Sequence, residues 1–211
     1  MDHVDAYCER LDASFWAEPL NAVSNLAFLI AAVLLWVLYR PASRSLRALP
    51  VLLALVGLAS FAFHTLATTL TSAGDVGFIG VFVVWYLVCF GHWFGGLSWP
   101  KAWWAVPAFA LVYGAMLPLA EAFPGGSGGY LAPWLALVVV AVVAAVRRLP
   151  WHDLAVAAGI FVVSLTLRTL DQPLCGDWPS GTHYAWHTLN AVVLFLVARA
   201  AIRREREVGR P

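Results

Sequence analysis

Charged residues are scarce in this chain of 211 residues, of which only 12% are Asp, Glu, Lys or Arg. Soluble globular domains carry roughly a quarter charged residues, whereas 62% of this sequence is hydrophobic. A single soluble core of this length could not bury so much apolar surface. The composition therefore excludes an ordinary soluble domain and indicates an integral membrane protein whose apolar side chains face lipid.

Other features are also missing. The net charge of +1 gives no sign of nucleic-acid binding, and the sequence shows no internal repeat or low-complexity tract. Residues 1–18 are acidic and lack the basic stretch followed by an apolar stretch that a cleaved signal peptide needs. We therefore expect the first membrane span to act as its own insertion signal.

The sequence does contain a series of long apolar segments, separated by breaks rich in Pro, Gly and Arg. Each is long enough to cross a bilayer as a helix of about 20 residues. We predict an all-α bundle of seven transmembrane helices in one domain, 1–211, with an acidic extracytoplasmic segment at 1–19 and a basic cytoplasmic tail at 203–211. The predicted helices are 20–40, 50–70, 75–95, 102–120, 130–146, 152–170 and 185–203.

Basic residues set the predicted orientation. They cluster after the first, third, fifth and seventh segments, as at Arg44, Lys101, Arg147 and Arg204. Because cytoplasmic loops carry an excess of Lys and Arg, this distribution predicts an outer N-terminus and a cytoplasmic C-terminus. The Ala-, Val-, Leu- and Arg-rich composition and the short loops favour a bacterial inner membrane.

Four ionisable residues fall inside or at the ends of predicted spans, where such groups are costly and usually functional. They are His64, Asp75, His183 and His187. The predicted orientation brings all four to a similar depth near the outer, periplasmic face of the membrane.

His183 and His187 are four residues apart, the spacing by which two histidines on one helix face bind one zinc ion. His64 can supply a third nitrogen and leave one position open for water, as in catalytic zinc sites. Ser60, one turn before His64, can face the same point, and Asp75 can accept a proton. A lone histidine at a helix end is more often an interfacial hydrogen-bonding residue, and we interpret His92 and His152 in that way.

Cys8 and Cys175 both fall on the predicted outer face, where oxidising conditions favour a disulfide; two free thiols are the alternative. Arg168 and Asp171, near the outer end of the sixth span, are expected to pair with each other or to line the entry to the site. Ser24 and Asn25 are expected to serve helix packing or to hydrogen bond to groups around the metal.

The motifs Ser60-Phe-Ala-Phe-His64, then Asp75, then His183-Tyr-Ala-Trp-His187 resemble the alkaline ceramidase family. That family belongs to a wider group of seven-helix hydrolases, which also includes the adiponectin-type receptors and GPI-remodelling proteins. The N-terminal runs Tyr7-Cys8-Glu9-Arg10 and Glu18-Pro-Leu-Asn21 resemble the family's first motif.

The resemblance implies zinc bound by His64, His183 and His187, with Ser60 and Asp75 in catalysis. It also implies a calcium site in the N-terminal segment, since oxygen-rich clusters suit calcium; a solvated acidic tail is the alternative. Ala6 stands where the family has a carboxylate, so a nearby acid would have to compensate. The candidate calcium ligands are Glu9, Glu18 and Asn21, with Asp5 or Asp12 as the compensating acid.

The sequence therefore predicts a zinc-dependent hydrolase that cleaves the N-acyl bond of a ceramide-like lipid to a fatty acid and a sphingoid-type amine. Its expected partners are the bilayer and this lipid, with no obligate protein partner. Two rivals remain: a receptor or sensor of the adiponectin-receptor type with a structural zinc site, and a transporter with a proton relay. The few ionisable groups in the cytoplasmic halves of the spans count against transport.

Overall fold

The structure, a computed structural model, describes residues 3–209. Asp2 of the acidic segment and Arg210 of the basic tail lie outside the described residues. Seven helices in the described part are long and apolar enough to cross a membrane, and no strand longer than an isolated bridge occurs there. They are α1 (Pro19–Tyr39), α2 (Arg44–Leu66), α3 (Thr69–Trp93), α4 (Trp99–Ala120), α5 (Pro124–Val146), α6 (His152–Leu170) and α7 (His183–Val208).

The predicted helix count is confirmed, but three helix starts are corrected. Helices α2, α3 and α5 each begin six residues earlier than predicted, and residues 70–74, expected to form the loop between α2 and α3, are helical. The turn instead lies at Ala67, which has a left-handed backbone with φ of 45°. Thr68 and Thr71 then form a capping box that satisfies free backbone groups at the start of α3. Asp75 therefore lies inside the helix rather than at its start.

Helix α7 forms the centre of the bundle. It packs against α1, α2, α3 and α6. In its most apolar stretch of 18 residues, 67% is buried inside the protein, compared with 6% in the corresponding stretch of α4. Residues Ala105–Ala120 of α4 include no buried side chain, and this helix packs mainly on α3 and α5. The centre of the bundle is therefore well enclosed, while α4 lies at its edge.

The segment before α1 folds over one end of the bundle. The backbone of His3 pairs with that of Thr68, and the N–H of Val4 donates to the carbonyl of Ala67 at 2.8 Å. Cys8 and Cys175 form a disulfide with Cα atoms 5.2 Å apart. The N-terminal segment thus lies over both the end of α2 and the start of α7. These helix ends are at the end of the bundle that holds the candidate site.

Candidate metal centre

Three histidines from two helices meet beneath the N-terminal segment. His64 lies near the end of α2, and His183 and His187 occupy the first two turns of α7. Each is at most 2% exposed, and one ligand atom from each lies within 4.8 Å of the others. It is the one group of three or more metal-ligating side chains so close together in residues 3–209, and it could hold a metal ion.

The outer nitrogens of two rings have acceptors that fix their protons. His64 Nδ1 lies 2.5 Å from Glu18 Oε2, and His187 Nδ1 lies 3.1 Å from the carbonyl oxygen of Asn21. Glu18 also accepts from Arg10 at 2.5 Å, which favours the tautomer of His64 with its proton on Nδ1. The Asn21 carbonyl favours the same tautomer of His187 when the Ser24 hydroxyl, 2.8 Å from Nδ1, donates to that carbonyl. In these tautomers the Nε2 atoms of neutral His64 and His187 are bare.

Those two bare nitrogens face each other. His64 Nε2 and His187 Nε2 are 3.1 Å apart, and in the tautomers that their Nδ1 contacts favour, neither carries a proton. Two nitrogens bound to one tetrahedral zinc at 2.0–2.1 Å would be about 3.3 Å apart. The donor set and its spacing therefore fit a small divalent cation.

His183 is held differently. Its ring stacks on that of Tyr7, with centroids 3.7 Å apart, and its backbone N–H donates to Asp171 at 2.9 Å. Its Nδ1 is buried without a hydrogen-bond partner among residues 3–209. Buried polar atoms are rarely left unpaired, and this ring offers one nitrogen to the cluster formed with His64 and His187.

Ser60 and Asp75 border the histidines. Ser60 Oγ is 3.5 Å from His187 Nε2, because Ser60 precedes His64 by one turn of α2 on the same face. Asp75 of α3 is 8% exposed and interacts electrostatically with Ser60, His64 and Arg168. The hydroxyl therefore lies beside His187 Nε2, and the carboxylate lies in the same buried region.

A buried chain of charges supports His64 from outside. Arg10 binds Glu18, and its guanidinium also donates to the backbone carbonyl of His64 at 3.0 Å. Burial alone would raise the pKa of Glu18, but hydrogen bonds from His64, Asn21 and Arg10 outweigh burial and hold that pKa below its ordinary value. Glu18 is therefore a carboxylate that orients a metal-facing histidine, a common arrangement around zinc.

Ser24 has the supporting role expected of it. Its hydroxyl lies 2.8 Å from His187 Nδ1 and donates to the Asn21 carbonyl. Asn25 donates to the same carbonyl at 2.8 Å. The first turns of α1 therefore position His187, much as Glu18 positions His64.

The candidate calcium ligands do not converge on one point. Glu9 caps the start of α1 through the N–H groups of Leu20 and Asn21 at 2.7 and 2.8 Å. Glu18 faces His64, and the Asn21 amide donates to Glu18 at 2.9 Å. Asp5 and Asp12 are exposed. A calcium site among Glu9, Glu18, Asn21, Asp5 and Asp12 stays a prediction.

Arg168 and Asp171 do not pair with each other, so only the alternative, that they line the entry to the site, stays a prediction. Asp171 instead accepts from the backbone N–H groups of Cys8, Thr182 and His183, at 3.1, 2.7 and 2.9 Å. Its carboxylate thereby ties the N-terminal segment to the start of α7. The backbone donors nearby satisfy Asp171 without an ion pair.

Arg168 points into the protein near the site. It donates to Ser127 Oγ at 2.9 Å and to the Gly125 carbonyl, and its guanidinium lies over the Tyr130 ring, 5.1 Å from the centroid. Sequence inspection missed the supporting roles of Arg10, Glu18 and Asp171. The only available signal was that several ionisable residues lie close to predicted span ends.

No protein-family model matches this chain, and no curated protein is significantly similar to it. The fold and the site define the molecule as a multi-pass helical membrane protein with a buried histidine cluster able to bind a metal ion.

Proposed function

We propose that the protein is an intramembrane zinc-dependent amidase that hydrolyses the N-acyl bond of a ceramide-like lipid to a fatty acid and a sphingoid-type amine. The observation that carries the proposal is the buried cluster of His64, His183 and His187, with the Nε2 atoms of His64 and His187 3.1 Å apart and Ser60 Oγ 3.5 Å from His187 Nε2. A purely structural site would be closed by four protein ligands, whereas three histidines leave a position open.

Zinc held by His64, His183 and His187 would polarise the acyl carbonyl and make water a nucleophile near neutral pH. Asp75 accepts the proton of the attacking water at its carboxylate and returns it to the leaving amine. Ser60 donates its hydroxyl hydrogen to the carbonyl oxygen as negative charge develops there. Burial of both groups excludes bulk water, which strengthens these interactions.

The surroundings favour a substrate that arrives through the membrane. The N-terminal segment covers the end of the bundle, as Tyr7 on His183 illustrates, so direct access from outside is restricted. Helix α4 at the edge of the bundle has little buried surface and could move aside at small cost. A lipid that enters sideways from the bilayer between α3 and α5 would avoid the covered end of the bundle and would displace only α4.

The basic residues at the ends of the odd-numbered helices support an outer N-terminus and a site near the periplasmic face of a bacterial inner membrane. A reporter enzyme active only outside the cytoplasm, fused after α2 or after α3, tests this orientation. We expect reporter activity only from the fusion after α2. Reporter activity only from the fusion after α3 would show the opposite orientation.

The direct test is hydrolysis of a panel of N-acyl and O-acyl lipids by the purified, zinc-loaded protein. We expect release of fatty acid from N-acyl lipids, and we expect His183→Ala and Asp75→Ala to abolish it. The matched control His152→Ala should retain it, because His152 is exposed at the start of α6 and is not part of the cluster. Turnover unchanged in His183→Ala and Asp75→Ala would refute the proposal. Zinc removal that unfolds a protein with no hydrolysis of any lipid would favour the receptor alternative.

A further inference from the structure

An apolar cavity lies between α3, α5, α6 and α7, on the cytoplasmic-tail side of the histidines. Its wall includes Phe82, Leu137, Phe161 and Leu194. Asn190 of α7 also lines it, and this residue follows His187 by three positions, about 4.5 Å along the helix axis and on the same face. The cavity therefore begins one helical turn from the candidate metal centre.

Two side chains of the cavity wall each carry a buried polar atom without a partner among residues 3–209. Asn190 and Tyr86 both line it and are 2% and 4% exposed. The Asn190 amide nitrogen and the Tyr86 hydroxyl are buried without a hydrogen-bond partner among residues 3–209. Burying such groups unpaired is costly, and a cavity serving only a plain hydrocarbon chain would be more stable with Leu and Phe in their places.

We propose that the cavity binds a lipid chain that carries an oxygen atom along its length, such as a hydroxylated acyl chain. The Asn190 amide donates to that oxygen, and the Tyr86 hydroxyl donates to it or accepts from it. The remaining wall is apolar and contacts the hydrocarbon on either side. This inference rests on the proposed function for the source of the chain, an acyl lipid whose head lies at the histidines.

The test is binding rather than turnover, so it can succeed or fail independently of hydrolysis. Fatty acids of one chain length compete with a fluorescent fatty acid on the purified protein in detergent. The series comprises the unsubstituted acid, positional hydroxy isomers, and methyl-branched isomers that match the hydroxyl in size. We expect at least one hydroxy isomer to bind about ten-fold more tightly than its methyl counterpart, as two modest hydrogen bonds would give.

Two substitutions assign the preference to these residues. Tyr86→Phe and Asn190→Leu should each reduce the affinity for the preferred hydroxy acid several-fold and leave the affinity for the unsubstituted acid equal or higher. Tyr113→Phe is the matched control, because Tyr113 is an exposed residue of α4 outside the cavity wall, and it should change neither affinity.

Equal binding of hydroxy and methyl isomers to the unmodified protein would overturn the inference without any variant. A hydroxyl preference that persists in the folded double variant Y86F/N190L would also overturn it. If the preference is found but no lipid is hydrolysed, the proposed amidase function fails and this binding site stands. If amides are hydrolysed without any hydroxyl preference, the proposed amidase function stands and the inference about this binding site fails.

Discussion

Replacing Glu18 with Gln should weaken metal binding although Glu18 is not itself a ligand. The Glu18 carboxylate fixes the proton of His64 on Nδ1, 2.5 Å away, and neutralises Arg10 at the same distance. Both contacts are buried, and a hydrogen bond to a charged group contributes about 1.5–3 kcal/mol. The amide of Gln keeps the shape and an acceptor oxygen but loses the charge.

Loss of that charge leaves Arg10 buried without a counter-ion and reduces the basicity of His64. Both effects act on the metal-facing Nε2, since outer hydrogen bonds orient and tune such ligands. We therefore expect Glu18→Gln to reduce zinc affinity about 10- to 100-fold. The assay is competition with a chromophoric chelator of known affinity, carried out on the purified protein.

Glu121→Gln is the matched control, because Glu121 is exposed at the end of α4, and its zinc affinity should equal that of the unmodified protein. A thermal unfolding curve of Glu18→Gln with and without zinc checks that the variant is folded. Zinc affinity unchanged in folded Glu18→Gln would refute the argument that this carboxylate orients His64. The bare Nε2 atoms would then have to be explained in another way.

Three other predictions follow from the same contacts. Ser60→Ala should lower kcat by about 10²–10³-fold while zinc content stays constant; equal kcat would remove Ser60 from the mechanism. Cys8→Ser should lower the free energy of unfolding by about 2–4 kcal/mol relative to the unmodified protein. A stability equal to that of the unmodified protein would show that the bridge to Cys175 contributes nothing. Gly181→Ala should disturb the site, because Gly181 has φ of 61° and an added Cβ would overlap Asp171. Gly176→Ala, where a Cβ meets nothing within 4 Å, should leave zinc content unchanged, and equal zinc content in both variants would contradict the role given to Asp171.

The helices could be predicted because bilayer thickness imposes their length. An apolar run of about 20 residues bounded by Pro, Gly or Arg has few alternatives in lipid, where every backbone group must be paired within the segment. The errors occur at helix starts, as at α3, because a capping box of Thr68 and Thr71 determines where a helix begins. Hydrophobicity carries little information about such polar caps.

The meeting of His64, His183 and His187 could also be anticipated. Helices alternate in direction across the membrane, so the end of one even-numbered helix and the start of an odd-numbered helix share a face. The spacing of four residues then places both α7 histidines on one side of that helix. Depth and direction together predict the cluster, and the structure brings the three residues together.

The support around the cluster could not be predicted. Glu18 and His64 are 46 residues apart in sequence, and the segment before α1 has no periodicity that fixes its path. An acidic residue there could equally face water, bind calcium or meet a histidine. Only the packing of the segment over the bundle, tied down through Cys8 and Asp171, distinguishes these roles.

The central claim is that the three histidines bind one zinc ion and leave a position open. X-ray absorption spectroscopy of the zinc-loaded protein, with metal content measured on the same sample, tests it most directly. We predict one zinc per chain with three imidazole nitrogens at about 2.0–2.1 Å and one further oxygen ligand, lost in His187→Ala and kept in His152→Ala. Substoichiometric zinc, or the same metal content in His187→Ala, would contradict the claim.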